Sequence, residues 1–346
     1  MIIFDMDGVL VDVSGSYREV TRLSVVHYLR FVTGVKNLRD DFISLNDVSA
    51  IKKNGGLNND WDLTYTIINT LLFSLFHEHN KHLNNGFLAL RAIKKDDELF
   101  HAVGELRDKC DPAILESRLN RMSQTQKMSV SGFYFQIKEQ IREHSPFLIN
   151  HGDVNTGNLA KRIFQEIYLG NGMFQKIYGV DPLFYQGEGY INREALIPSP
   201  SLLKRLAART TLTVATGRPG VEALHSLRQF NILDMFSAVV TEDDVVQAEK
   251  NEGKSLRKPH PFIINLCMQR CGCEKTGGVF YIGDMPDDMV ASISAGITPV
   301  GFVNDRSNES NDEKLRHRAL LIEKGAREVF GNFKELESYL KDEFNA

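Results

Sequence analysis

Acidic, hydroxyl and amine side chains recur in four short fragments that are spread along the 346-residue chain. The fragments are Asp5-Met6-Asp7-Gly8, Thr216-Gly217-Arg218, Arg257-Lys258-Pro259 and Gly283-Asp284-Met285-Pro286-Asp287-Asp288. A carboxylate nucleophile, a hydroxyl, a lysine and an acidic pair are the groups that a magnesium-dependent phosphoryl-transfer site requires. Four fragments in this order predict such a site far more specifically than one of them would.

Most of these fragments follow short apolar segments with the pattern of buried strands. Residues 2–6 predict a first strand, and further strands and helices then alternate. The predicted strands are 211–215, 237–241, 279–283 and 298–303, and the predicted helices lie near 200–209, 220–230, 260–271 and 287–295. This alternation predicts an α/β fold, a Rossmann-like parallel sheet with helices on both faces. Ligands of such sheets bind beyond the carboxyl ends of the strands, so Asp5, Thr216 and Asp284 should converge on one crevice.

A long insert separates the first strand from the rest of the sheet. Apolar residues recur at helical spacing in 16–33, 63–77, 86–93, 133–142 and 159–169, which predicts a large, mostly helical insert. We therefore predict a catalytic core made of residues 1–13 and 196–346, and a helical cap domain made of residues 14–195. Small and proline residues at both borders indicate hinges that let the cap rock over a site.

The residue types also predict how a phosphoryl group would be attacked. A carboxylate can attack phosphorus only if the negative charge of the phosphate is neutralised, which calls for a metal. Asp5 and Asp284 are predicted to hold Mg²⁺ together with the backbone carbonyl of Asp7. Asp288 is predicted to orient Lys258 or to serve the metal site, with Asp287 as its competitor. Asp7 would protonate the leaving oxygen and then deprotonate the attacking water.

A second set of groups is predicted to bind the phosphate. Lys258 supplies a compact positive charge, and the Thr216 hydroxyl and the Gly217 amide can donate to phosphoryl oxygens. Gly8 is also assigned to this set. The helix that begins near Pro219 would add the dipole of its N-terminus.

The four fragments resemble the four motifs of the haloacid dehalogenase superfamily. In that resemblance Asp5 and Asp7 stand at the nucleophile and acid/base positions of the first motif. Thr216 stands at the second motif, Lys258 at the third, and Asp284 and Asp288 at the fourth. The insert resembles the helical cap of the first subfamily, and the stretches 14–19 and 55–62 are similar to a less characterised branch of these cap-bearing proteins. The resemblance implies a phosphatase-type hydrolase of that uncharacterised branch. Asp7 disfavours dehalogenation, because displacing halide from carbon requires no acid for an alkoxide leaving group.

The expected function is a Mg²⁺-dependent phosphatase that hydrolyses a small phosphorylated metabolite through an aspartyl-phosphate, with a sugar or polyol phosphate favoured. The same catalytic residues would serve a phosphomutase. A catalytically idle scaffold that uses the enlarged cap as an interface is the alternative of another class. Candidate substrate residues are Arg18, Asn59, Asp60 and Arg218. Asn59 and Asp60 are alternatively helix caps, and the two arginines are alternatively surface groups.

Composition limits the classes of partner and the compartment that we expect for this protein. A formal net charge of -4 provides no global basic field for nucleic acid or an anionic membrane. No apolar run is long enough to cross a bilayer, and the chain begins on the Asp5 strand rather than on a signal sequence. Four cysteines fit a reducing compartment, so we expect a cytoplasmic protein. The sequence leaves the oligomeric state open.

Overall fold

The chain divides into two compact units. The computed structural model describes residues 1–55, 57, 59–76, 96–108, 113, 115–119, 129–143, 152–274, 276–307 and 310–345. Unit 1 comprises Met1–Ser14 with Glu194–Ala346, and unit 2 comprises Gly15–Arg193. The roles of catalytic core and cap that the sequence suggests for these two parts stay predictions.

The secondary structure alternates in unit 1 and is helical in most of the described part of unit 2. The strands are β1 (Ile2–Phe4), β2 (Val11–Asp12), β3 (Ala195–Leu196), β4 (Leu212–Ala215), β5 (Ala238–Val240), β6 (Phe280–Gly283), β7 (Thr298–Phe302) and β8 (Glu328–Phe330). The α-helices of unit 2 whose bounds the structure describes are α1 (Tyr17–Thr33), α2 (Leu45–Gly55), α3 (Asp60–Phe76), α4 (Asp96–Asp108), α5 (Val130–Glu143) and α6 (Leu159–Tyr178). The helices of unit 1 are α7 (Pro200–Ala207), α8 (Gly220–Gln229), α9 (Glu242–Glu252), α10 (Phe262–Arg270), α11 (Pro286–Ser294), α12 (Asn311–Glu323) and α13 (Phe333–Asn345).

Unit 1 is built on a parallel sheet of six strands in the order β5-β4-β1-β6-β7-β8. Every neighbouring pair in it is parallel, and β1 lies between β4 and β6. The central strands β1, β4 and β6 are buried along their whole length, because helices cover both faces of the sheet. The predicted α/β fold with a Rossmann-like parallel sheet is confirmed.

Alternate side chains of the sheet enter two separate apolar layers. Phe4 of β1 packs with residues of α7, α8 and α13, among them Leu203, Leu227 and Leu336. Ile3 points to the other face and packs in the layer that contains Ile263 of α10. This alternation fixes the register of the strands. It therefore also fixes where the polar residues that follow each strand lie at the edge of the sheet.

A short ribbon lies where the chain leaves unit 1 and returns to it. β2 pairs antiparallel with β3, so that Val11 lies opposite Leu196 and Asp12 opposite Ala195. The loop before β2 is closed by a hydrogen bond from the Gly8 amide to the Val11 carbonyl, 2.8 Å long. The ribbon was not predicted, because two residues per strand give no readable alternation.

Unit 2 packs its helices around α1, which contacts α6 and α3. Tyr17 stacks on Tyr168 with ring centroids 4.5 Å apart, and both rings are buried. Helices cover most of the predicted helical stretches, whereas the stretch 86–93 lies outside the described residues. Among the described residues, no helix is long and apolar enough to cross a membrane.

Candidate active site

The ends of three neighbouring strands bring the predicted site residues together. Asp5 follows β1, and its amide donates to the Ile282 carbonyl of β6 at 2.8 Å. Thr216 follows β4, and its amide donates to the Val240 carbonyl of β5 at 3.0 Å. Asp284 follows β6. Positions that lie more than two hundred residues apart in the sequence therefore meet at one edge of the sheet, as parallel pairing requires.

Lys258 lies between two carboxylates of this edge. Its Nζ is 2.8 Å from Asp5 Oδ1 and 2.8 Å from Asp288 Oδ1, and it also donates to the Tyr281 hydroxyl. Burial alone would lower the pKa of Lys258, but Asp288 and Asp5 raise this pKa well above its ordinary value. Lys258 is therefore a fixed cation, suited to stabilising an anionic phosphoryl group.

Asp288, rather than Asp287, is the second acidic residue at Lys258. Its Oδ2 accepts a 2.9 Å hydrogen bond from the Met285 amide, and its Oδ1 accepts one from the Tyr281 hydroxyl at 3.2 Å. A β-carbon at position 283 would lie 2.5 Å from the Asp288 Cβ, so a glycine is needed there. With both oxygens engaged, Asp288 is suited to orienting Lys258. Its predicted role as a metal ligand stays a prediction.

Asp5 combines burial with a charged partner. Burial raises the pKa of Asp5 to about 7, against the opposing pull of Lys258. The neighbouring carboxylates of Asp288 and Asp7 contribute to this increase. A further positive charge next to the Asp5 carboxylate would favour the ionised form that a nucleophile requires.

Three carboxylates lie close enough to share a cation. Oxygens of Asp5, Asp284 and Asp288 all lie within 4.8 Å of one another. Gly8 has φ +76°, and a β-carbon there would lie 2.1 Å from Asp284 Oδ2, so only glycine leaves room for this carboxylate. The Asp284 carbonyl lies 2.6 Å from His317 Nε2 of α12. This contact anchors the loop that follows β6. An all-oxygen donor set fits Mg²⁺.

Thr216 and the start of α8 form the side of the site that was assigned to phosphate. The Thr216 Oγ1 accepts a 3.1 Å hydrogen bond from the Arg218 amide, which orients the hydroxyl. Gly217 has open space on its β-carbon side. The first amide of α8, that of Gly220, donates to Asp243 Oδ2 at 3.1 Å. This carboxylate already lies at the helix N-terminus that was expected to face the phosphate.

Arg218 is buried rather than displayed to a ligand, with only 2% of the residue exposed. Its Nε donates to Asp7 Oδ1 at 2.6 Å, and its Nη1 donates to Glu194 Oε2 at 2.9 Å. Sequence reasoning did not single out Glu194. A lone glutamate before a two-residue strand carries no motif, and its contact with Arg218 depends on the fold.

Two of the candidate substrate residues of unit 2, Asn59 and Asp60, take part in local structure. The Asn59 Oδ1 accepts hydrogen bonds from the first amides of α3, at 2.8 Å from Trp61 and 3.3 Å from Asp62. Asp60 pairs with Lys52 Nζ at 2.9 Å, and Arg18 is half-buried near the start of α1. Asn59 is therefore a helix cap. A role of these residues in substrate binding stays a prediction.

Sequence comparison supports the expected family. Residues 198–302 match a family model described as haloacid dehalogenase-like hydrolase. This range contains Thr216, Lys258, Asp284 and Asp288, which were assigned to the second, third and fourth motifs. The predicted resemblance to the haloacid dehalogenase superfamily and the predicted hydrolase are confirmed. No curated protein matches the chain.

Solved structures resemble this chain at low sequence identity. A structural-genomics target is 20% identical to this chain and has a TM-score of 0.66. The match covers 99% of this chain and 98% of the target's chain. A phosphatase from Thermococcus thioreducens is 19% identical, with coverages of 92% and 98% and a TM-score of 0.49. A candidate beta-phosphoglucomutase from Thermotoga maritima is 18% identical, with coverages of 99% and 98% and a TM-score of 0.40. The first of these similarities supports the fold.

Proposed function

We propose that the protein is a Mg²⁺-dependent phosphatase that hydrolyses a small phosphorylated metabolite through an aspartyl-phosphate on Asp5. The observation that carries this proposal is the buried group at the end of β1, in which Lys258 contacts both Asp5 and Asp288 while Asp284 lies nearby. Ion pairs that only stabilise the fold do not require a third carboxylate, Asp284, beside Asp5 and Asp288. Like charges gathered beside one cation indicate a site that binds a further cation or acts on an anion.

Asp5, Asp284 and the backbone carbonyl of Asp7 are the groups proposed to hold Mg²⁺. When it is bound, this ion supplies positive charge that lets an anionic nucleophile approach an anionic phosphate. The oxygen donors fit the ion, and the glycine at position 8 leaves the space that the Asp284 carboxylate occupies.

Each remaining group has a proposed task in the reaction. Asp5 attacks phosphorus in line with the leaving oxygen, and the bond from phosphorus to that oxygen breaks. Lys258 stabilises the charge on the phosphoryl oxygens, together with the Thr216 hydroxyl and the Gly217 amide. Asp7 gives its proton to the leaving oxygen and then takes one from the water that hydrolyses the aspartyl-phosphate. The substrate class that we favour is a sugar or polyol phosphate.

Phosphate release from a panel of phosphorylated sugars, polyols, acids and nucleotides tests the proposal. It is measured with Mg²⁺ and with EDTA, for the wild type and for Asp5→Asn. Glu337→Gln is the control, because Glu337 pairs with Arg205 on another side of unit 1. We expect release that requires Mg²⁺, disappears in Asp5→Asn and persists in Glu337→Gln.

Two outcomes would point to the other functions. Conversion of one phosphorylated sugar into an isomer without phosphate release would identify a phosphomutase. A folded, Mg²⁺-binding protein that converts no panel member would favour the scaffold.

A further inference from the structure

Behind Asp7 lies a buried network that the proposed reaction leaves without a role. Arg218 Nη1 lies 2.9 Å from Glu194 Oε2 and 3.1 Å from Ser226 Oγ. The Ser226 hydroxyl in turn donates to the same Glu194 oxygen at 2.8 Å. The side chains of Arg218 and Glu194 are 1% and 0% exposed. A glutamate so deeply buried is costly unless its partners compensate it, which they do here.

The network reaches the solvent at Asp7, whose side chain is 33% exposed. Arg218 holds Asp7 through Oδ1, with a 2.6 Å contact from Nε and a second contact from Nη2. Both contacts use Oδ1, so Oδ2 is the oxygen that can exchange a proton with a substrate or with water. The guanidinium therefore defines which way the carboxylate faces.

Glu194 in turn fixes the orientation of the Arg218 guanidinium. A planar guanidinium that donates to Asp7 from Nε and to Glu194 from Nη1, with Nη2 in ion-pair contact with Asp7, cannot rotate without losing a contact. The backbone reinforces this arrangement, because Glu194 directly precedes Ala195 of β3, which pairs with Asp12 of β2. Glu194 and the loop that carries Asp7 thus adjoin the same ribbon.

We propose that Glu194 is a positioning residue for Asp7 and acts through Arg218. This inference rests on the proposed function, in which Asp7 activates water against the aspartyl-phosphate. In that step the water oxygen bonds to phosphorus, and the bond from phosphorus to the Asp5 oxygen breaks. The water proton passes to Asp7 Oδ2. A carboxylate that turns away from the water slows this step, even though the site retains every group that forms the intermediate.

The test is Glu194→Gln with p-nitrophenyl phosphate as the probe, because p-nitrophenolate leaves without being protonated. Formation of the intermediate then needs little help from Asp7, whereas its hydrolysis still needs an oriented Asp7. Glutamine keeps the shape of the side chain. The substitution leaves one carboxylate and one guanidinium in the network, so we expect the fold to be retained. Thermal unfolding checks this expectation.

We expect steady-state turnover of Glu194→Gln to fall about 10- to 100-fold, as for other residues that orient a reactive group from behind it. We also expect a burst of p-nitrophenol that is larger than in the wild type, and phosphorylated Asp5 that accumulates. Glu337→Gln removes a glutamate from another arginine pair in the same unit. It should show neither effect.

A second variant keeps the inference open to refutation if Glu194→Gln does not fold. Arg218→Lys retains the positive charge but cannot hold Asp7 and Glu194 in one plane, so it should give the same enlarged burst. A folded Glu194→Gln with wild-type turnover would overturn the inference. So would a loss of turnover without added phosphoenzyme, because a merely structural role predicts that result. A wild type without any phosphatase activity would instead refute the proposed function on which the inference rests.

Discussion

Two buried carboxylates, Glu166 of unit 2 and Asp5 of unit 1, have different environments. In unit 2, Glu166 is fully buried, and its Oε1 accepts from Arg162 Nε at 2.9 Å. Its Oε2 accepts from the amides of Phe184 and Tyr185. Every partner is a donor, and two of them are backbone groups. Such a carboxylate ties a loop to a helix and, being fully buried, is not exposed to a ligand.

In unit 1, Asp5 has a different environment. It shares the Lys258 ammonium with Asp288, and a third carboxylate lies within reach. Burial raises its pKa to about 7, which means that the charged form is poorly compensated. Glu166, which has only donors around it, stabilises the fold, whereas Asp5, gathered with other carboxylates around a single cation, indicates a site. The predictions below test this difference.

The largest effect is expected for Lys258→Met. This variant removes the ammonium that Asp5 and Asp288 share, so it leaves like charges buried against one another. We expect phosphate release to fall about 10³-fold, by analogy with other preorganised charges of active sites. We also expect the free energy of unfolding to fall by about 3–5 kcal/mol without Mg²⁺. Steady-state kinetics and denaturant titration measure the two losses. Full activity in this variant would remove the lysine from the mechanism.

Glu166→Ala should separate stability from chemistry in unit 2. The variant leaves the buried Arg162 guanidinium and two loop amides without their acceptor, which should cost about 3–5 kcal/mol of unfolding free energy. Urea denaturation followed by circular dichroism gives this value. We expect Mg²⁺ to stabilise the variant as much as the wild type. If the variant keeps wild-type stability, the contrast between Glu166 and Asp5 is wrong.

Asp284→Asn should remove metal binding while leaving the Lys258 contacts in place. Mg²⁺ at about 100 times its dissociation constant should stabilise the wild type by about 2.7 kcal/mol. The variant should lose most of this gain, because an amide binds Mg²⁺ more weakly than a carboxylate does. The shift of the melting temperature on adding Mg²⁺ reports the difference. An equal shift in both proteins would place the metal elsewhere.

The smallest effect concerns Glu337, a carboxylate of unit 1 that lies outside the group around Lys258. The hydrogen bond from Arg205, aided by Lys341, lowers the pKa of Glu337 to about 2. A lowered pKa in the folded state gives stability that is present above the unfolded pKa, near 4.5, and is lost as the pH falls towards 2. Arg205 is half exposed, so solvent limits this contribution to about 1 kcal/mol.

Glu337→Gln should therefore lessen the loss of stability between pH 4.5 and 2, as measured by urea denaturation at several pH values. Its activity at neutral pH should match that of the wild type. An unchanged pH profile would show that the pair with Arg205 contributes nothing to stability.

The sheet and the residues at its strand ends could be predicted from the sequence because their signals are local. Asp5 and Asp284 each end or follow a short apolar run, and strand order then brings them together. Helices α9 and α12 were missed because they are polar and show little apolar periodicity. Leu321 is the buried residue of α12.

Arg218 and Glu194 show where sequence reasoning ends. The sequence identified Arg218 as a candidate substrate residue, with a surface group as the alternative. The structure instead places it between two carboxylates that come from opposite ends of the insert. Contacts of this kind depend on which loops share a ribbon, and a two-residue ribbon leaves no pattern in the sequence.

Rapid acid quench during turnover, followed by peptide mass spectrometry, tests the central claim most directly. With p-nitrophenyl phosphate and Mg²⁺, we predict one phosphoryl group on the peptide that contains Asp5, and none in Asp5→Asn, which should also release no phosphate. Continued Mg²⁺-dependent phosphate release by Asp5→Asn, or phosphorylation of a different residue, would contradict the assignment of Asp5 as the nucleophile.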